Sequence, residues 1–74
     1  MNELKLSKDI YPIIAVRKSS EEFKNIAEIT INDDSSDWIC SFKLLNDIPL
    51  DMLIAEFENY VIDLINSEKI YDTY

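Results

Sequence analysis

A chain of 74 residues with fifteen acidic and seven basic side chains, no histidine, no glycine and one cysteine has few chemical options. Its formal charge of −8 repels phosphate backbones and anionic lipid, one thiol cannot close an intramolecular disulfide, and a structural zinc site lacks its usual ligands. The length fits a single domain spanning 1–74, whose small core leaves a narrow margin of stability.

The opening MNELKLSKDIY has neither the basic start nor the apolar run of a secretory signal. With the single Cys40, this points to a reducing, cytoplasmic, bacterial-type setting. Leu4 and Leu6 alternate with Glu3, Lys5 and Ser7, the period of a strand with one buried face. Pro12 suits the first turn of a helix, with Ile10 as a hydrophobic staple, and the spacing predicts helix from Pro12 to Asn25. Ile13, Val16, Phe23 and Ile26 make its inward stripe, with small Ala15, Ser19 and Ser20 between them, and Arg17, Lys18, Glu21, Glu22 and Lys24 turn to water.

AEITIN, with Ile29 and Ile31 on one side and Glu28 and Thr30 on the other, is a second strand. Trp38, Cys40, Phe42 and Leu44 alternate with Ile39, Ser41 and Lys43 to make a third, joined to the second as a hairpin, with Trp38 closing the end of the core. The intervening DDSSD has no glycine for a tight positive-φ turn, so a longer loop with Asp and Ser side chains bonding the backbone is expected. Asp33, Asp34 and Asp37 could hold a cation, but the ligand ladder, central glycine and terminal Glu of a calcium loop are missing, and no metal is expected.

Asp47 or Ile48 is the expected cap of a second helix, with Pro49 in its first turn, Asp51 near its positive end and the helix running to about Ser67. Leu50, Leu53, Ile54, Phe57, Val61 and Leu64 form its core stripe, Tyr60 and Ile65 widen it, and Met52 and Ile62 lie outside it. Its acids interrupt any run approaching the roughly 20 apolar residues of a membrane span. The tail, 69–74, reads as frayed, with Ile70, Tyr71 and Tyr74 able to dock on a neighbour. The order β-α-β-β-α implies an α+β fold, a three-stranded sheet with two helices packed on one face, and such a sheet leaves two edges able to pair with a peptide or a second copy.

Catalytic groups are scarce. General acid–base chemistry usually draws on histidine, Cys40 lacks an activating partner and reads as a buried structural thiol, and the absence of glycine excludes phosphate-cradling loops. No catalytic residue and no cofactor is expected, and the aromatics Phe23, Trp38, Phe42 and Phe57 are core before they are stacking platforms.

In FENYVID, Asn59 and Asp63 are four apart on adjacent turns, so together they present an amide and a carboxylate that could grip a backbone or an arginine, or simply form the solvated border of the helix. Phe57, Asn59, Val61, Ile62 and Asp63 resemble the Phe-x-Asn-Glu-Leu-Leu-Asp signature of the small HxsD-type proteins of His-Xaa-Ser peptide-maturation cassettes, with Tyr60 in place of Glu. Tyr11, Ala15, Val16, Lys18 and Phe23 are similar to that family's first-helix pattern, with Ser19 and Glu21 replacing its Ala and Tyr. The family continues after its Asp with a basic, Arg-containing helical segment, whereas here LINSEKIYDTY follows Asp63, which puts in doubt any role of that segment.

The resemblance implies a non-catalytic accessory protein that binds a radical S-adenosylmethionine maturase, its precursor peptide, or both, without holding a cluster itself. Phe57, Asn59, Tyr60 and Asp63 are the expected partner-binding residues, and neither nucleic acid nor membrane is an expected partner. Two other readings fit the composition: an acidic inhibitor that mimics nucleic-acid charge, as in anti-defence proteins, whose acids would gather on one face, and a homodimer joined through sheet edges.

Overall fold

The computed structural model describes residues 2–67, and the expected behaviour of the tail lies outside them. Five elements follow one another: β1 (Glu3–Ser7), α1 (Ile13–Glu22), β2 (Ala27–Asp33), β3 (Asp37–Leu44) and α2 (Leu50–Asn66). The fold is α+β, in the order the sequence implies. The sheet runs β1-β3-β2, with β3 antiparallel to both neighbours, so β1 and β2 are parallel and both are edges.

Register puts Leu4 and Leu6 beside Cys40 and Trp38, and Ile29 and Ile31 beside Phe42 and Cys40, all on one face. Both helices cover that face. Leu6, Ala15, Val16, Ala27, Cys40, Phe42, Leu53, Phe57 and Val61 form one buried cluster drawn from every element. Burying a large apolar side chain of this kind contributes about 1.5–3 kcal/mol, so a handful of them decides the stability of so small a domain. At the centre the rings of Phe42 and Phe57 meet edge to face at 5.1 Å, and those of Phe57 and Phe23 at 5.6 Å. Such pairs add about 0.5–1.5 kcal/mol beyond their area.

Ser19 is the buried polar residue of α1, and its hydroxyl donates to the Ala15 carbonyl at 2.8 Å, which leaves it satisfied without a partner from another element. Ala15 and Ser19 lie four apart on one face, and their small side chains let the helix approach its neighbours closely. Trp38, half-buried at one end of the sheet, donates its indole N–H to the Tyr11 carbonyl at 2.8 Å and ties the entry of α1 to β3. Lys8 sits 4.8 Å from the centre of the Trp38 ring and pairs with Asp33 at 2.7 Å, joining the ends of β1 and β2.

Both helices start at a proline. Pro12 and Pro49 occupy the N-cap positions with extended backbone, and neither helix has a side-chain cap. This corrects the expectation that Asp47 or Ile48 caps α2: the fixed φ of Pro49, −63°, sets the entry, and Asp51 supplies the carboxylate of the first turn. The first helix also ends before Asn25. Phe23 leaves helical geometry, and the N–H groups of Ile26 and Ala27 both donate to its carbonyl, a tight turn that aims the chain straight into β2. Phe23 and Ile26 still pack on the core from that turn, so the apolar spacing persists past the helix. Ser20 is half-buried rather than inward, and Leu44 ends β3 in the open, 36% exposed.

The hairpin loop is built from side chains as its composition demands. One Asp34 carboxylate oxygen accepts from the backbone N–H groups of Ser36 at 2.9 Å and Asp37 at 2.8 Å. These two donors hold the Asp34 carboxyl below its ordinary pKa. Asp33 is engaged with Lys8, and the Asp37 carboxylate accepts from the Ser36 hydroxyl at 3.4 Å, so all three hairpin acids have structural partners. No group of three or more His, Cys, Asp or Glu side chains placed to hold a metal occurs among the described residues.

Candidate partner-binding surface

Helix α2 presents three different faces. At about 100° per residue, Leu53, Phe57 and Val61 point into the core, and all three are buried. Glu56, Asn59, Tyr60 and Asp63, at spacings of three, four and seven, follow one flank. With Phe23, in the turn that follows α1, they line an open depression of about 280 Å³. The opposite flank, Pro49, Leu50, Asp51, Ile54, Ala55 and Glu58, borders a larger and more apolar depression of about 540 Å³. Met52, four residues before Glu56 and seven before Asn59, continues the first flank toward the start of the helix, with 56% of its surface exposed.

The first depression collects three of the four residues singled out in FENYVID. Asn59 and Asp63 are exposed and Tyr60 is half-buried, its ring edge to face with Phe23 at 5.8 Å. Phe57 is not at this surface. It is wholly buried, and it reaches the depression only indirectly, through the Phe23 ring that it holds in place. Its expected direct contact with a partner is therefore corrected to a supporting role.

Neither Asn59 nor Asp63 hydrogen-bonds to the other, and no ion pair engages Glu56 or Asp63 among the described residues. Two carboxylates and an amide thus border an aromatic floor made by Tyr60 and Phe23. This combination suits a cationic or amide-bearing side chain of a partner, which would find carboxylate acceptors at the rim and a ring face or edge below. Glu56 and Phe23 were not foreseen as part of it. Glu56 was legible, since it precedes Tyr60 by four residues; Phe23 comes from another element and its approach depends on how the helices pack.

The sheet edges are the other surfaces open to a partner. Antiparallel strands alternate residues whose backbone groups point to the neighbour with residues whose groups point away. The Asp34 N–H donates to the Asp37 carbonyl and the Leu45 N–H to the Ile26 carbonyl, which fixes the phase of the hairpin. Glu28, Thr30 and Asn32 consequently direct their backbone groups to β3, and Ile29 and Ile31 direct theirs to the open edge. Along β1 the Phe42 N–H donates to the Asn2 carbonyl, so Glu3 and Lys5 are the residues whose backbone faces outward.

Cys40 belongs to the core. It is fully buried in β3, and burial pushes its thiol up to about 11, so it is protonated and unreactive at neutral pH. No described helix is long and apolar enough to cross a membrane. The chain matches no protein-family model, and no curated protein or solved structure shows significant similarity to it.

Proposed function

We propose that this protein is a non-catalytic adaptor of a ribosomal-peptide maturation system, binding a radical S-adenosylmethionine maturase through the Glu56–Asp63 flank of α2 and an extended precursor peptide at the β1 edge. The observation that carries the reading is the row of carboxylates and amide on one flank of α2, unengaged within the described chain and set over the Phe23 and Tyr60 rings. The likeness of FENYVID and of the first helix to HxsD-type proteins supplies the identity of the partners.

The β1 edge suits a foreign peptide better than a second copy. Antiparallel self-pairing centred on this five-residue strand sets Lys5 against Lys5, which is unfavourable, whereas a peptide with an acid at that position pairs well. Helix α1 lies along β2, sharing a depression lined by Ser20, Glu21, Lys24, Ala27 and Ile29. The apolar flank of α2, on the side away from the Glu56–Asp63 row, offers Leu50 and Ile54 as apolar contacts for a bound peptide. Two separate surfaces are what an adaptor that brings an enzyme to its substrate requires.

Phosphate mimicry is less well supported. The acids are spread over α2, the hairpin and the outer sheet face, where Lys43 stands opposite Glu28 and Lys5 follows Glu3, so no single face carries them.

Co-expression of the tagged chain with the maturase and precursor peptide of its own system tests the proposal. A stoichiometric complex with one or both is expected to co-purify. Recovery of the chain alone, from cells that contain both, would contradict it.

A further inference from the structure

The two edges of this sheet are not alike. β1 is short and carries Lys5 at its centre, which discourages pairing with a second copy of itself. β2 is seven residues long, Ala27-Glu28-Ile29-Thr30-Ile31-Asn32-Asp33, with no lysine, proline or glycine to blunt it. Its outward backbone groups belong to Ile29 and Ile31, as the hairpin phase requires, and both isoleucines remain half-buried rather than covered.

We infer that β2 is a self-recognition edge: two copies of the chain pair β2 against β2 antiparallel about Thr30, making one continuous six-stranded sheet. The sequence of the strand is its own complement in this register. Thr30 faces Thr30 of the second copy on the axis, Ile29 faces Ile31, Glu28 faces Asn32 and Ala27 faces Asp33. No like charges stand opposite each other. The Ile29–Ile31 pairs fall on the covered face, and Thr–Thr and apolar cross-strand pairs of this kind are favourable.

The hydrogen-bond phase agrees with the same register. Ile29 and Ile31, whose N–H and C=O groups point outward, become the hydrogen-bonded pairs, and Thr30 becomes a non-hydrogen-bonded pair with its side chains close together. A centre shifted to Ile31 sets Glu28 against Asp34, two carboxylates, and leaves Ala27 without a partner in the strand. The Thr30 centre alone uses all seven residues. The neighbouring depression is rimmed by Glu21 and Lys24, which are 3.6 Å apart, so the helix bordering the edge offers both signs of charge to its copy. This edge is separate from the α2 flank and from β1, and the inference does not depend on what those surfaces bind.

Thr30 is exposed on the outer face, so its replacement tests the pairing without touching the core. Sedimentation equilibrium of the full chain is expected to give twice the 8.7 kDa chain mass. Thr30→Lys and Thr30→Glu each place like charges together on the axis and should weaken the dimer by about tenfold or more, with circular dichroism unchanged. Mixing the two variants in equal amounts should restore the dimer, because lysine then faces glutamate. A wild-type chain that stays monomeric at 100 µM protein (about the upper working range of the method), variants that dimerise as tightly as wild type, or a mixture no tighter than either variant would each overturn the register.

Discussion

Phe57→Ala is expected to unfold most of the protein at 25 °C. The ring is wholly buried and meets both Phe42 and Phe23 edge to face, so its removal takes away transfer energy, two aromatic contacts and the support of Phe23. Phenylalanine-to-alanine changes in cores cost about 3–5 kcal/mol. A domain of this size has a net stability of about that amount. Far-UV circular dichroism with urea titration should show lost helix signal in buffer, or a midpoint shifted close to zero urea. Asn59→Ala, two residues on and exposed, should stay within about 0.5 kcal/mol of wild type. An alanine variant at Phe57 with a native midpoint would mean that the core is not organised around this ring.

The second large effect is on binding. Glu56→Lys with Asp63→Lys turns the rim of the α2 depression from acidic to basic, and both side chains are exposed, so the fold should survive. If a partner cation sits over Tyr60, reversing both charges replaces attraction with repulsion and should weaken the proposed complex with a maturase by about 2 kcal/mol, roughly 30-fold in Kd. The control is Glu22→Lys with Asp47→Lys, two exposed acids elsewhere, which changes the net charge equally. Titration calorimetry should find the control within about threefold of wild type at 0.15 M salt, where long-range charge effects are screened. Equal losses in both pairs would show that only overall charge matters and that the flank is not a contact.

Much of the architecture was legible because each element has a clean period. Leu4 and Leu6, or Trp38, Cys40 and Phe42, alternate in a way only a half-covered strand explains, and Pro12 and Pro49 mark the helix starts within a residue. Helix ends were less legible. Phe23 continues the apolar spacing of α1 although its backbone has already turned, since packing constrains the side chain and not the helical bond. The position of β3 between the other strands could not be read from the hairpin pattern alone, because nothing local says which side of β3 receives β1. At the candidate surface the spacing of Asn59, Tyr60 and Asp63 was visible in FENYVID, but spacing does not tell a ring that holds the core from one that faces a partner. Phe57 and Tyr60 are three residues apart, and only the packing of α1 against α2 separates their roles.

In the proposed function the protein acts by contact, with an extended peptide joining the sheet at β1. Amide hydrogen exchange at Glu3 and Lys5 reads this directly, because their N–H groups point away from β3 and have no partner strand. Saturating precursor peptide should slow exchange at these two amides by about tenfold or more, as new backbone hydrogen bonds form. Unchanged exchange at both, with the peptide present in large excess, would contradict the account.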